Sequence, residues 1–533
     1  MSATAYDVAI IGGGHNGLVC AAYLARAGRR VVVLERRHLV GGAAVTEEPW
    51  PGFRVSTASY VVSLLQDKIV RDLDLPRHGY EVYPLDPAYF TPFPDGRGIL
   101  VWDEPHRAAE EIAPFSRHDA EAYLRYSRDL DRLADFVRPL LLRTPPGMEL
   151  SSLDDVLDAA SFGAYLLGHR RILPDVIDLM TMSVADFLDR YFVNEAVKGA
   201  LCPGGVIGMW GGPMSPGSAY VLLHHRMGDV NGIRGGWGFV RGGMGGVSEA
   251  IAAAAREAGA EIRTTAPVAS VDMRNGRANG VLLADGTWIK ARAVASGTHP
   301  RTTFFDLVGR EHLPEDLVTE IERFRTRGSS AKVNLALSEL PDFLARPGTQ
   351  LDLQHPEFII SPSVEYVERA WDDAKLGRPS ARPLLDCVIP TTKDRALAPE
   401  GAHILTAFVQ YAPYDLAGGR SWDQERDALG DTVIDTIAEY APNVKRAVIH
   451  REVVTPFDLE QRFGLLGGNI FQGEMALDQL FNMRPAVQAG AYRTPVRGLY
   501  LCGSGTHPGG GVMGAPGHNA ARTILRDLRT WRG

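Results

Sequence analysis

Between an apolar strand and a helix the chain carries Gly12-x-Gly14-x-x-Gly17, and 18 residues after Gly17 a second apolar strand closes on Glu35. The surrounding pattern reads as strand, turn, helix and strand: Val8 to Ile11, then Gly12 to Gly14, then Leu18 to Ala27 closed by Gly28, then Arg30 to Leu34. Each glycine has a task in such a βαβ unit. Gly12 permits the tight turn, Gly14 lets a pyrophosphate approach the backbone, and Gly17 lets the helix lie close on the strand. The helix N-terminus adds unpaired N–H donors for an anion. Glu35 is placed to accept hydrogen bonds from the adenosine ribose, and its charge disfavours a 2′-phosphate. This turn, with His15 and Asn16 in it, therefore predicts a site for an ADP-containing dinucleotide other than NADP.

The rest of the composition is that of an ordinary globular protein: 533 residues, 45% hydrophobic, 23% charged. A formal charge of −8 gives no bulk attraction for nucleic acid or an anionic membrane. Cys20, Cys202, Cys387 and Cys502 are each more than about 100 residues from the next, which excludes a CxxC pair and any short-spaced zinc site. A reducing compartment follows, and with no secretory pattern at the start the cytoplasm is the expected location. The 25 residues Gly199 to Leu223 carry no charge, but ten are Gly or Pro, too many for a lipid-exposed helix. That stretch is expected to form a hydrophobic access channel or a peripheral membrane contact.

Along the chain the texture changes twice. Residues 103 to 190 mix charged and apolar residues at helical spacing, whereas Ser248 to Ala258, Glu261 to Arg263 and Val268 to Met273 return to a helix and short strands. From Ala331 to Val454 strand patterns dominate; Val333, Leu335 and Leu337 share one face while Lys332, Asn334 and Ala336 share the other. The fold class that results is α/β, a Rossmann-like dinucleotide domain discontinuous in sequence with an inserted α+β domain holding a mixed or antiparallel sheet. Residues 1–102, 235–325 and 485–533 are assigned to the first, and 103–234 and 326–484 to the second, substrate-binding domain with its helical part.

A second glycine-rich junction distinguishes FAD from NAD. Glu35 is followed by Arg36 and then Gly41-Gly42, where a loop can run against the pyrophosphate, and the strand Gly498 to Cys502 meets Gly503-Ser-Gly-Thr-His-Pro-Gly-Gly-Gly-Val-Met-Gly514 before the last helix. Backbone N–H groups at Met513 and Gly514 are expected to face the electron-rich edge of a flavin ring. The segments VAIIGGGHNGLVCAAYLARAGRRVVVLERRHLVGGAAVTEE, VRGGMGGVSEAIAAAAREAGAEIRTTAPVASV and LYLCGSGTHPGGGVMGAPGHNAARTIL resemble the FAD-containing amine-oxidase and phytoene-desaturase superfamily. Within it, YVLLHHRMGDVNGIRGGWGFVRGGMGG and DLEQRFGLLGGNIFQGEMALDQLFNMRP are similar to the pyridine nucleotide-disulphide oxidoreductase domain-containing protein 2 branch. The resemblance implies that Gly12, Gly14, Gly17, Glu35, Gly41, Gly42 and Val268 contact the ADP half of FAD, with Gly503, Met513 and Gly514 near the flavin. The branch's name points to disulphide chemistry, which these cysteines cannot perform because none has a partner near it in sequence.

Hydride transfer to a flavin needs mainly a dry, apolar pocket and at most one base or polar anchor. Lys332, one of seven lysines, sits in an apolar strand, and relatives in the amine-oxidase group place a lysine near the flavin; an outward-facing lysine fits the pattern equally. His225, with His224 after an apolar strand, and His507 in Thr-His-Pro are the other catalytic candidates, and no metal ligand set accompanies them. Trp210, Trp237 and Phe239 are candidate channel walls. The function expected is an FAD-dependent oxidoreductase of dehydrogenase or desaturase type taking hydride from an apolar or amphipathic substrate, with an unspecified electron acceptor. Two alternatives stand beside it: a redox-neutral double-bond isomerase and a non-catalytic FAD-containing binding protein.

Overall fold

A computed structural model of the chain describes residues 6–147, 153–347 and 356–530. Residues 1–5, part of the stretch read for targeting, lie outside it. Tyr6–Ile11 forms the central parallel strand of a seven-stranded sheet, flanked by Val31–Leu34 on one side and Trp288–Ser296 on the other. Glu261–Arg263 extends the sheet beyond Val31–Leu34, and Leu499–Leu501 pairs in parallel with the upper half of Trp288–Ser296. The lower half of that strand turns into an antiparallel meander with Arg277–Leu283 and Val268–Arg274. Both faces of the parallel part are covered, which is why its strands read as continuous apolar runs. One face is covered by three helices, His15–Arg26, Gly245–Glu257 and Ala515–Thr530.

The helix His15–Arg26 is built from small and straight-chain residues with good helix propensity, and Gly28 in the left-handed region ends it. Its packed face, Leu18, Cys20, Ala21, Ala22 and Leu24, lies against the sheet with no solvent exposure.

A second seven-stranded sheet runs in the order Val448–Val454, Ser330–Leu337, His403–Gln410, Leu384–Val388, Glu357–Ile360, Tyr89–Pro92 and Gly98–Val101. All pairings are antiparallel except that of Glu357–Ile360 with Tyr89–Pro92. The alternation read in Ser330–Leu337 holds. Ala331, Val333, Leu335 and Leu337 enter the core shared with the helices of residues 105–226, and Lys332 and Asn334 occupy the opposite face.

Two sequence readings are corrected here. Tyr89–Pro92 and Gly98–Val101 were assigned to the dinucleotide domain by the boundary at residue 102, yet they hydrogen-bond into the second sheet. A short apolar strand does not encode which sheet it joins; only its long-range partner does. The residues before His224 and His225 form the helix Ser218–Arg226, not a strand. Ser218 to His225 are all buried, so no polar face marks a helical period and the run is indistinguishable from a buried strand by pattern.

Candidate functional site

A cavity of about 420 Å³ runs between the two sheets, from the first glycine turn to the face of the second sheet that carries Lys332. Its first end is shaped by Gly12, Gly14 and Gly17. A Cβ at Gly17 would stand 2.3 Å from the carbonyl oxygen of Gly12, so the helix can lie this close only on glycine. A Cβ at Gly14 would meet only the Cα of Gly42, 4.0 Å away, and would project into the cavity. The cradle that a pyrophosphate requires is thus open at that position, and the residues present fit the ADP half of a dinucleotide.

Glu35 lines the same end and is fixed by backbone donors: Gly13 N–H donates to Oε2 at 2.7 Å and Arg37 N–H to Oε1 at 2.9 Å. Lone pairs remain on both oxygens for ribose hydroxyls. Gly41 N–H donates to the Gly13 carbonyl at 2.8 Å, which brings Gly41 and Gly42 over the turn. Arg36 lines the rim and donates to the Gln461 carbonyl at 3.2 Å, and Val268 lines the wall beside it. His15 and Asn16 complete this end. The His15 Nε2 lies 3.2 Å from the Gly511 carbonyl, and burial pushes its pKa down to about 4, so the ring is neutral. Asn16 Nδ2 donates to Ser504 Oγ at 3.0 Å. Two neutral side chains thereby join the first glycine turn to the second.

The second junction reaches the cavity through residues other than those the sequence singled out. Ser504, Gly511 and Val512 line it, whereas Gly503, Met513 and Gly514 do not. The Met513 N–H donates to the Gly511 carbonyl at 3.0 Å, and its side chain packs against Leu64 and Ala515. Gly503 is needed for close approach, since a Cβ there would stand 2.6 Å from the Gly297 carbonyl oxygen. Arg484, which the sequence did not mark, braces this region. Its guanidinium is wholly buried and donates to the carbonyls of Phe471, Gly473, Glu474, Gln479 and Ser504 at 2.8 to 3.2 Å. No local pattern announces a cation held only by main-chain oxygens.

At the far end the walls are aromatic and aliphatic, with Tyr60, Trp237, Phe408 and Phe471 among them. Lys332 faces this space with 2% exposure, its Nζ 3.7 Å from the centroid of the Tyr60 ring and without a hydrogen-bond partner in the protein. Lys332, Phe408 and Asp386 are cross-strand neighbours in one row. Tyr60 stacks on Phe408 with centroids 5.8 Å apart and donates its hydroxyl to Asp386 Oδ2 at 2.6 Å. Burial lowers the pKa of Lys332 against the opposing pull of Asp386, and burial raises that of Asp386 against Tyr60 and Lys332. The reading of Lys332 as an outward-facing lysine is excluded. Tyr60 and Asp386 were missed because nothing local links them to Lys332; the cross-strand register does.

His225 also lines the cavity, its ring 5.8 Å from Trp237. Its Nδ1 donates to the Gly204 carbonyl at 3.0 Å, and burial holds its pKa low, so the neutral ring leaves Nε2 as an acceptor. His507 is not at the cavity. Its Nε2 bonds the Leu140 carbonyl at 3.0 Å and its ring meets Phe481 edge-on, so it braces a turn. Trp237 lines the space, but Trp210 packs on Trp371 and Phe239 belongs to a core with Leu85 and Val388. Of the charge-free stretch, Ile207 alone among the described residues lines the cavity, while Val206, Ala219 and Leu223 fill the core. Among the described residues no group of three His, Cys, Asp or Glu is placed to hold a metal ion, and no helix is long and apolar enough to cross a membrane.

Comparison with known proteins accords with this geometry. Pyridine nucleotide-disulfide oxidoreductase domain-containing protein 2 of Rattus norvegicus is 44% identical over 98% of this chain and 94% of its own. A limonene dehydrogenase component of Castellaniella defragrans is 29% identical over 98% of this chain and 95% of its own. A redesigned putrescine oxidase of known structure superposes with a TM-score of 0.61 at 17% identity, covering 99% of each chain, and so shares the fold. The family model for flavin containing amine oxidoreductases matches residues 17–525, nearly the full span over which both glycine junctions and both sheets are built. The chain therefore belongs to the flavin containing amine oxidoreductase family.

Proposed function

We propose that the protein is an FAD-dependent dehydrogenase that takes hydride from an apolar or amphipathic organic substrate. The observation that carries this reading is the continuity of the cavity: one space joins the Gly14 and Glu35 cradle to an aromatic-walled end holding a single buried amine. When bound, FAD would supply the two-electron acceptor, its ADP half held by Gly12, Gly14, Gly17, Glu35, Gly41 and Gly42. The chain's own residues exclude water and orient the substrate. Tyr60, Trp237, Phe408 and Phe471 provide apolar walls. Lys332 Nζ and His225 Nε2 supply one donor and one acceptor in an otherwise dry space, the groups able to hold or take a proton. The name of the limonene dehydrogenase relative supports an apolar substrate.

The test is an anaerobic absorbance spectrum of the purified protein before and after photoreduction, then with apolar candidates added. Retained flavin that a substrate bleaches is the expected result, and Lys332→Met should lower the bleaching rate by about 10²-fold or more. A protein that holds no flavin after desalting overturns the reading.

A further inference from the structure

The row of strand residues that carries the cavity's amine is bridged by one side chain from outside the sheet. Lys332, Phe408 and Asp386 stand side by side on three adjacent strands. Tyr60 lies across all three. Its ring presents one face to Lys332 Nζ, 3.7 Å from the centroid, stacks on Phe408, and carries its hydroxyl to Asp386 Oδ2 at 2.6 Å. The segment around Tyr60 belongs to no helix or long strand and is tied on both sides: Ser59 N–H donates to the Ala43 carbonyl at 3.1 Å and Val62 N–H to the Gly238 carbonyl at 3.0 Å. The ring is therefore fixed by its backbone, by the Phe408 stack and by its hydroxyl.

Lys332 has none of the usual partners of an ammonium. Its Nζ is buried and donates no hydrogen bond within the protein, and Asp386, the carboxylate of the same row, stands two strands away with Phe408 between them. What meets the amine is the face of the Tyr60 ring. The negative face of an aromatic ring attracts an ammonium, more strongly where water is excluded. The hydrogen bond from the phenol to a carboxylate polarises the ring further in that direction.

We propose that Tyr60 is the positioning residue of the Lys332 amine, its ring face standing in for the hydrogen bonds that the amine lacks and keeping the amine and its proton at the cavity wall. The inference rests on the oxidoreductase reading above, in which Lys332 is the donor of the apolar end. A donor in a dry space works only while it holds its proton, and burial pushes the pKa of Lys332 down to about 7. The titratable groups that face it are Tyr60 and, from the strand Leu384–Val388, Asp386 and Cys387, both of which oppose burial. Phe408 and Val454, its partners on the two flanking strands, are uncharged. The ring attracts only the charged form, so its loss moves the amine toward the neutral form.

The test is an NMR titration of the lysine Cε signals in the FAD-loaded protein with carbon-13 lysine and no substrate. The chain has seven lysines, and the Lys332 signal is the one missing from Lys332→Arg. Tyr60→Leu removes the ring face, whereas Tyr60→Phe keeps the face and removes the hydroxyl; Tyr60→Met is a second variant without a ring should the first not fold. The Lys332 midpoint should fall by at least about one pH unit in the ringless variants and by less than half as much in Tyr60→Phe. An unchanged or raised midpoint without the ring overturns the proposal, because the ring would then only pack or exclude water. Equal falls with and without the ring overturn it too, since the effect would run through Asp386 and not through the face. The visible absorbance of the same samples reports retained flavin, and the titration needs neither flavin nor substrate to be read, so failure of the oxidoreductase reading is seen separately.

Discussion

At the residue scale, Gly17 in the first turn of the helix His15–Arg26 and Gly28 just past its end make opposite predictions. Gly17→Ala places a Cβ 2.3 Å from a main-chain oxygen, so helix and strand must separate. The expected cost is about 1–3 kcal/mol of stability, with loss of retained flavin after desalting. Gly28→Ala meets nothing within 4 Å, and its strain is confined to a φ of +75°. It should cost about 1 kcal/mol in denaturant unfolding and leave flavin content unchanged. Equal flavin loss in both would refute the close-packing account. Both positions were legible in the sequence, since glycine spacing is set by the local chain. The polar partners of the cavity were not: Lys332 was visible as a lone lysine in an apolar strand, but its neighbours Tyr60 and Asp386 belong to segments far away in the chain.

At the element scale, the short helix Pro456–Phe463 carries Leu459 and Phe463 into the cofactor end of the cavity. Its start is fixed by reciprocal bonds: Asp458 N–H donates to Thr455 Oγ1 at 3.2 Å and Thr455 N–H to Asp458 Oδ2 at 2.8 Å. Pro456 takes the first helical position and Gly464 ends the helix in the left-handed region. Thr455→Ala should cost about 1 kcal/mol in urea unfolding and speed flavin release, whereas Thr455→Ser should do neither. Such caps are local chemistry and stand in the sequence. Helix Ser218–Arg226 shows the opposite case, because full burial erased the periodicity that would have identified it.

At the scale of the whole molecule, His507 ties the C-terminal junction to the long helix Arg117–Leu141 through the Leu140 carbonyl. Burial first, with the Arg484 charge also acting, lowers its pKa to about 4 from an ordinary 6.5. The unfolded chain therefore binds a proton between pH 6.5 and 4 that the folded chain does not, and acid favours unfolding. Measured against His507→Gln, whose amide can keep the bond, the wild-type stability advantage should shrink by about 1.4 kcal/mol per pH unit as pH falls across that window, and stay flat above pH 7. A flat difference throughout would show that the ring is not held neutral. The same long-range assembly places Cys20 and Cys502, near opposite ends of the chain, in one buried core. The Cys502 thiol and burial push the Cys20 thiol well up, so it stays protonated at neutral pH. By itself the sequence determined the βαβ dinucleotide unit, the second glycine junction, the mostly antiparallel character of the second sheet and the lysine facing away from its core, because turns, caps and side-chain alternation depend on neighbours a few residues apart. Only the tertiary structure decided which residues of the second junction reach the cavity, which sheet the strands near residue 100 join, and which side chains meet Lys332, because these depend on pairings between distant segments that no local pattern records.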